Sequence, residues 1–487
     1  MRKNSIMMVL YEVLCLLVPL IITPYISRTL GAEGVGIYSY TYSIVTYFVI
    51  LVQLGIKLYG RREIAKVNDN KKEYSKVFFE LLYLEIAMFA IVSLLYSVFV
   101  FWVVRSETYR VALIIQYIEI VVALLDISWL YFGLEKFTAI VIRNIVVRLA
   151  EIFLILTLIH SERDVYIYIV IMAGCNLLGV LSMWLGIRSK IIKVSVSKID
   201  IQRRILPLTR LFIPVLSTTL FSIVDKTIIG SFINTENVGY YENAYKIAKI
   251  PVVVITALGN VALPRVTKLI ADGKERESRA VIGKSMSLIM GITVAISFGM
   301  FGIANVFIPL YLGDDFTAAI PLFKILSFMI VFIGWGNVLR TQYMLPKGYD
   351  TLYTKSVVYA AIINIAMSLV LVKPLGAFGV AIASLATELV ICVYSTIKIR
   401  KEIDVMLLIK NDFGYLFSGV LMAICVMLIG EYLSVRMSYL YTVIVQVFVG
   451  TIVYSISTLI MELVNKRYVF IEEARNIIKR FLSKKQS

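Results

Sequence analysis

The chain has 487 residues and a formal charge of +17, yet only 17% of its residues are charged and 60% are hydrophobic, which gives a mean hydropathy of +0.86. No water-soluble globular surface can be built from that composition, so the solvent must be lipid. Unalternating apolar runs such as Leu81–Val104 exclude a membrane β-barrel, whose strands alternate, and leave helices that satisfy their own backbone polar groups.

A crossing takes roughly 20 mostly apolar residues. Hydropathy places spans at Met7–Ser27, Gly36–Ile56, Val77–Trp102, Val111–Phe132, Ala139–Ile159, Val165–Ile187, Ile205–Ile233, Gly239–Leu263, Ser285–Leu310, Ala318–Leu345, Leu352–Val372, Ala377–Ile397, Phe413–Leu433 and Met437–Leu463. The expected fold is all-α, with about fourteen transmembrane helices. The first run is too long for a signal-peptide core and is expected to stay in the mature protein. Cys15, Cys175, Cys392 and Cys425 lie inside apolar runs and are expected as small buried hydrophobes rather than a disulfide framework.

Cations alternate between loops. With a cytoplasmic N-terminus, roughly 35 Lys and Arg fall on the inside, in loops such as Lys57–Lys76 and Arg188–Arg204, and roughly six outside: Arg28, Arg105, Arg110, Arg163, Lys373 and Arg436. Both termini are therefore expected in the cytoplasm. The net charge has this origin, so nucleic acid is not an expected partner, whereas anionic lipid is. In the tail, Ile471, Ala474, Ile478 and Leu482 recur at helical spacing among Arg475, Lys479 and Arg480, as suits either a basic amphipathic helix on the inner leaflet or a solvated tail.

The segment Val35–Ile44 matches Val238–Ile247 at Val, Gly, Tyr, Tyr and Ile; Leu54-Gly55 with Arg61 recurs as Leu258-Gly259 with Arg265. An even number of spans between copies makes the halves parallel repeats, as in transporters that rock two lobes around a central site. The expected domains are an N-lobe at 1–200, a C-lobe at 201–402, two extra helices at 403–464 and the cytoplasmic tail at 465–487.

The runs Pro24-Tyr-Ile-Ser-Arg28-Thr-Leu-Gly31-Ala-Glu-Gly34-Val-Gly36-Ile-Tyr38 and Asp225-Lys226-Thr-Ile-Ile-Gly230, leading to Val238-Gly239-Tyr240-Tyr241, resemble the signatures of bacterial polysaccharide flippases. These are members of the multidrug/oligosaccharidyl-lipid/polysaccharide (MOP) exporter superfamily. The resemblance covers essentially the whole chain and implies a V-shaped, two-lobed fold. It further implies translocation of an undecaprenyl-diphosphate-linked oligosaccharide from the inner to the outer leaflet, for a surface polysaccharide such as capsule or O-antigen. A polysaccharide polymerase and glycosyltransferases are the further partners it suggests.

Ionisable groups at membrane depth cost at least about 2.5 kcal/mol each and should face a watery cavity or one another. Glu242, Lys246 and Lys249 fall at i, i+4 and i+7, one helical face; the repeat equivalents Ser39, Ser43 and Thr46 are polar but uncharged. Lys226, Arg28, Arg143, Arg148, Lys324 and Arg340 complete the candidate cationic cavity, whose chemistry is the binding of phosphate oxygens by charge-assisted hydrogen bonds. Tyr38, Tyr40, Tyr42, Tyr240, Tyr241 and Tyr245 offer surface for sugars or anchors at the interface. Asp126, Glu119, Asp225 and Glu388 are candidates for ion coupling. Arg148–Glu151, at i, i+3, and Asp225 with a nearby cation also read as neutralised pairs.

An enzyme is not expected, nor a cofactor or metal. His160, the sole histidine, sits beside Glu162 and Asp164 without a second imidazole, and no glycine loop of the Walker type is present. A cation-coupled exporter of small molecules, a membrane glycan polymerase and a non-transporting scaffold remain as other readings; acidic cavity residues favour the first. The cation bias yields a direct test: cysteine placed at Asn237 should react with an impermeant thiol reagent from outside and cysteine at Lys72 should not, and the reverse pattern would overturn the orientation.

Overall fold

The computed structural model describes residues 2–192, 194 and 200–464; the tail 465–487, expected as an amphipathic helix or a solvated tail, and the side chain of Cys15 lie outside the described part. Every long element among the described residues is helical. Among the described residues ten helices are long and apolar enough to cross a bilayer, which makes this a multi-pass membrane protein. The exterior is correspondingly apolar: Phe153 is 66% exposed and Val370 70%, while Ser43, Ser297 and Thr387 are fully buried. Lipid-facing hydrocarbon and an inward-facing polar set is the arrangement a bilayer imposes.

Two compact units divide the chain at Glu242/Asn243. The first contains α1 (Arg2–Gln53), α2 (Ile56–Lys66), α3 (Lys71–Val98), α4 (Glu107–Leu125), α5 (Ser128–Gly133), α6 (Phe137–Leu158), α7 (Val165–Trp184), α8 (Ile187–Lys190), α9 (Gln202–Phe232) and the start of α10 (Thr235–Lys249). The second contains the rest of α10, then α11 (Val252–Ala271), α12 (Glu275–Leu312), α13 (Ala319–Ser327), α14 (Met329–Asn337), α15 (Asp350–Ile399), α16 (Val405–Ser434) and α17 (Tyr439–Val464). The sequence-based boundary between 200 and 201 falls inside the first unit, and the helix pair expected at 403–464 packs into the second.

Helix breaks reconcile span length with bilayer thickness. The 52 residues of α1 would run to about 78 Å if straight, against a hydrocarbon core of about 30 Å. Gly31, at φ 66° and ψ −179°, interrupts it between the two spans read there. Gly376 (φ 62°) does the same within the 50 residues of α15. Helices α6 and α9, at 22 and 31 residues, also have the length to cross; α6 carries Arg143, Arg148 and Glu151, and α9 carries Arg210, Asp225 and Lys226.

In the first unit α1, α4 and α7 pack in series, and α9 lies along α1 and α2. The α1–α9 seam is polar: Tyr40 Oη and Ser231 Oγ are 3.1 Å apart, Tyr47 Oη donates to Thr227 Oγ1 at 3.1 Å, and Thr227 Oγ1 donates to Ser43 Oγ at 3.2 Å. In the second unit α16 and α17 are pinned to α12 by Ser287 Oγ donating to Asp412 Oδ1 (2.7 Å) and Tyr454 Oη donating to the Gly291 carbonyl (2.6 Å). Such bonds replace the hydrophobic drive that lipid removes.

The repeat surfaces as a contact. A Cβ on Gly36 would lie 1.7 Å from the Thr235 carbonyl oxygen, and one on its repeat equivalent Gly239 would lie 1.9 Å from the Ala32 carbonyl oxygen. The segment after the Gly31 break and the start of α10 thus touch backbone to backbone, reciprocally, where any side chain would hold them apart. Gly36→Ala and Gly239→Ala should each lower stability by about 1–3 kcal/mol, the usual cost of overpacking. Gly174→Ala, with nothing within 4 Å of the added carbon, should be neutral in the same thermal-unfolding measurement on purified protein.

Candidate functional site

In the first unit the candidate residues lie on α1, α4, α6, α9 and the start of α10, with Asp126 just past the end of α4. Ser39 and Ser43 are buried. Ser43 donates to the Tyr40 carbonyl (2.7 Å) and Thr46 to that of Tyr42 (2.7 Å), so these two hydroxyls are held by their own helix. Ser39 Oγ is buried without a hydrogen-bond partner. Next to this stripe, Tyr38 stacks on Tyr42 with centroids 5.6 Å apart and meets Tyr168 edge-on at 4.9 Å.

Glu119, 7% exposed, accepts a hydrogen bond from Asn176 Nδ2 at 3.0 Å; Glu151 and the cations Lys57 and Arg148 act on it electrostatically. Arg148 is paired with the buried Glu151 at 2.5 Å. Arg143 donates to Asn144 Oδ1 at 2.9 Å and approaches Met183 Sδ at 2.8 Å. Asp126 is paired with Lys57 at 2.8 Å and receives the Ser128 N–H at 3.0 Å. Arg28 is exposed, three residues before the Gly31 break.

Helix α9 sends two charges to α10. Tyr241 Oη donates to Asp225 Oδ2 at 2.6 Å, and Lys226 pairs with Glu242 at 3.1 Å, both side chains largely buried. Thus Lys226 pairs sixteen residues ahead, and Glu242, the first member of the i, i+4, i+7 face, is already neutralised. Removing either partner would leave a buried charge uncompensated, which typically costs 3–5 kcal/mol.

The remaining members of that face lie in the second unit. Lys246 is exposed and Lys249 half-buried, with Lys249 Nζ 4.4 Å from the Tyr245 ring centroid. Glu388, 6% exposed on α15, has Arg340 and Lys249 as its electrostatic neighbours. Arg340 sits on a π-helical turn, Val338–Met344, a distortion often found at functional sites. Its guanidinium donates to the Gly336 carbonyl at 3.2 Å and lies 5.5 Å from the Tyr353 ring centroid. Lys324 Nζ is 5.4 Å from the Phe301 ring centroid. Lys249 and Arg340, from different helices, are thus the two cations that act on the buried Glu388, and cations of this kind bind anions by charge-assisted hydrogen bonds.

Sequence reading missed two features. Arg204, at the start of α9, bridges Glu63 at 2.7 Å and Glu80 at 2.8 Å; Glu80 at membrane depth was the available signal. Lys57 reads as one of many cations of an inner loop, whereas it enters the protein to meet Asp126. The expected burial holds for Cys175 and Cys392, and Cys425 is half-buried.

Residues 1–270 match the family model described as polysaccharide biosynthesis protein. A candidate O-antigen transporter of Escherichia coli (strain K12) is 24% identical over 397 residues, covering 80% of this chain and 94% of that protein. Among solved structures, the lipid II flippase MurJ in an inward closed conformation superposes with a TM-score of 0.73 at 15% identity, over 96% of this chain and 100% of that one. An inward-facing multidrug resistance transporter of the MATE family, in the MOP superfamily, gives 0.56 at 14% identity over 76% and 94%. The chain carries the MOP fold and belongs to the polysaccharide biosynthesis protein family.

Proposed function

We propose that this protein is a flippase that carries undecaprenyl-diphosphate-linked oligosaccharides from the inner to the outer leaflet of the cell membrane, with both termini cytoplasmic and no covalent bond made or broken. The observation that carries the reading is that Lys249 and Arg340, each held over a tyrosine ring, both act on the buried Glu388 in a chain of this family. A lipid diphosphate brings roughly two negative charges, and cations held against aromatic rings keep theirs available to phosphate oxygens. Tyrosines beside them offer rings and hydroxyls for sugar. The names carried by the Escherichia coli relative and by MurJ, O-antigen transporter and lipid II flippase, are consistent with a glycan-bearing lipid. Energy enters in this reading through an ion gradient or the membrane potential, with Glu119, Asp126, Asp225 or Glu388 as the coupling carboxylates.

A cation-coupled small-molecule exporter is the second reading, favoured by the buried Glu119–Asn176 pair at 3.0 Å. A deletion strain separates the two: lipid-linked oligosaccharide should accumulate on the inner leaflet, and loss of drug resistance without such accumulation would favour the exporter. In reconstituted vesicles, Lys246→Ala, Lys249→Ala and Arg340→Ala should each lower flipping with little loss of membrane-inserted protein. A lost charge-assisted contact of about 1.5–3 kcal/mol corresponds to roughly ten- to hundredfold weaker binding. Lys249→Arg should retain most activity, and normal transport by all three alanine variants would place the anion site elsewhere.

A further inference from the structure

In the inner half of the first unit, three helix ends meet away from the residues assigned to the anion. Helix α1 stops at Leu54 and Gly55, which take positive φ of 43° and 78° in succession, and Lys57 follows within the first turn of α2. Helix α4 stops at Asp126, whose backbone leaves the helical region before α5 begins. Between them α3 presents Glu85, roughly 20 Å along the helix from its Lys71 end.

These groups form a depth gradient. The Lys57 side chain is 48% exposed and that of Asp126 12%, whereas Glu85 is 1% exposed. Lys57 Nζ and Asp126 Oδ2 are 2.8 Å apart. Glu85 Oε2 is buried with no hydrogen-bond partner, and the charged groups acting on Glu85 from the helices packed against α3 are Asp126 and Lys57. The layer is otherwise apolar, built from Ile56, Leu81, Ile127 and Trp129.

With both carboxylates ionised and Lys57 charged, the trio would hold a net negative charge under an apolar layer, next to an ion pair that has already used the one cation. A single added proton makes it neutral, and buried carboxylates in close company share protons for this reason. We propose that Glu85, backed by the Lys57–Asp126 pair, is a proton-binding site whose occupancy sets the position of α2. Protonated, Glu85 leaves Lys57 to Asp126 and α2 stays docked. When the proton departs through the more exposed Asp126, a second carboxylate competes for Lys57. The element that answers is α2, because Lys57 lies two residues beyond the left-handed break and the far end of α2 reaches α9 through Glu63 and Arg204 at 2.7 Å. The site thereby joins protonation on α3 to the helix that opens the second repeat, and it stands whether or not the substrate assignment above is right.

The test uses full-length protein in lipid nanodiscs and needs no transported substrate. Infrared difference spectra between acid and alkaline pH should contain a band from a buried protonated carboxyl that is shifted in Glu85→Asp and absent in Glu85→Gln. In parallel, the thiol reactivity of Lys66→Cys on α2, divided by that of Lys72→Cys on α3 to remove the thiol's own ionisation, should change several-fold through one titration and become flat in the Glu85→Gln background. Carboxyl bands identical in Glu85→Gln and the native protein, or a reactivity ratio independent of pH with native Glu85, would overturn the proposal. A titration that appears only with sodium and vanishes in choline would overturn it too, in favour of a metal cation at the same carboxylates.

Discussion

A charge placed in a bilayer must find its partner inside the protein, and much of this structure follows from that constraint. Lys226 meets Glu242, Arg148 meets Glu151, Lys57 meets Asp126 and Arg204 meets two glutamates at once. Lipid offers no water to compensate an orphaned ion, so each pair that joins two helices fixes their relative register, in a way surface pairs in soluble proteins do not. Helices α9 and α10 are tied together by Lys226–Glu242 and by Tyr241–Asp225, and α9 is tied to α1 by hydroxyl bonds. The same logic makes their charged residues poor places for neutral drift.

The transmembrane character, the helical class and the approximate spans were legible because lipid demands long apolar runs and helices alone satisfy their backbone within one. The two long broken helices were legible in part: polar interruptions separated the spans flanking Gly31 and Gly376, although the chain turns there through a single left-handed residue without a loop. Pairing was much less legible. Arg148 with Glu151 could be read because i, i+3 is a helical neighbour. Lys226 with Glu242 could not, because sixteen residues and a helix break intervene. Arg204 with Glu80 spans more than a hundred positions and depends wholly on how α9 crosses α3.

The repeat was read as a relation between faces, and the structure turns it into a contact. Gly36 and Gly239 matched as letters in two aligned segments; in space each admits the other segment's backbone where a Cβ would fall within 2 Å of a carbonyl oxygen. Two copies of one motif meeting about a local two-fold is an isologous contact within a single chain, and its self-complementarity makes both glycines necessary together. The neighbouring Tyr40, lying on Gly230 and against Ser231, extends the same seam, which is why α9 is counted with the first compact unit although its sequence begins the second repeat.

Two ways of holding a cation recur in the structure. In the first, Lys57, Arg148, Arg204 and Lys226 are each within 3.1 Å of a carboxylate, so their charge is largely spent on the fold. In the second, Lys249, Lys324 and Arg340 lie over the rings of Tyr245, Phe301 and Tyr353, and the buried Glu388 feels two of them, Lys249 and Arg340. A ring attracts a cation by about 0.5–2 kcal/mol without cancelling its field, whereas an ion pair does cancel it. Held that way, a lysine or arginine is positioned in advance and still presents a positive potential to an arriving anion, so little ordering cost remains to be met on binding. The contrast belongs to these residues and not to the units, since Lys347 of the second unit is paired with Glu402 and Arg61 and Lys190 of the first lie over rings; it sets Lys249 and Arg340, held against rings and suited to receiving an anion, apart from Lys226 and Arg148, whose charge goes into holding the fold.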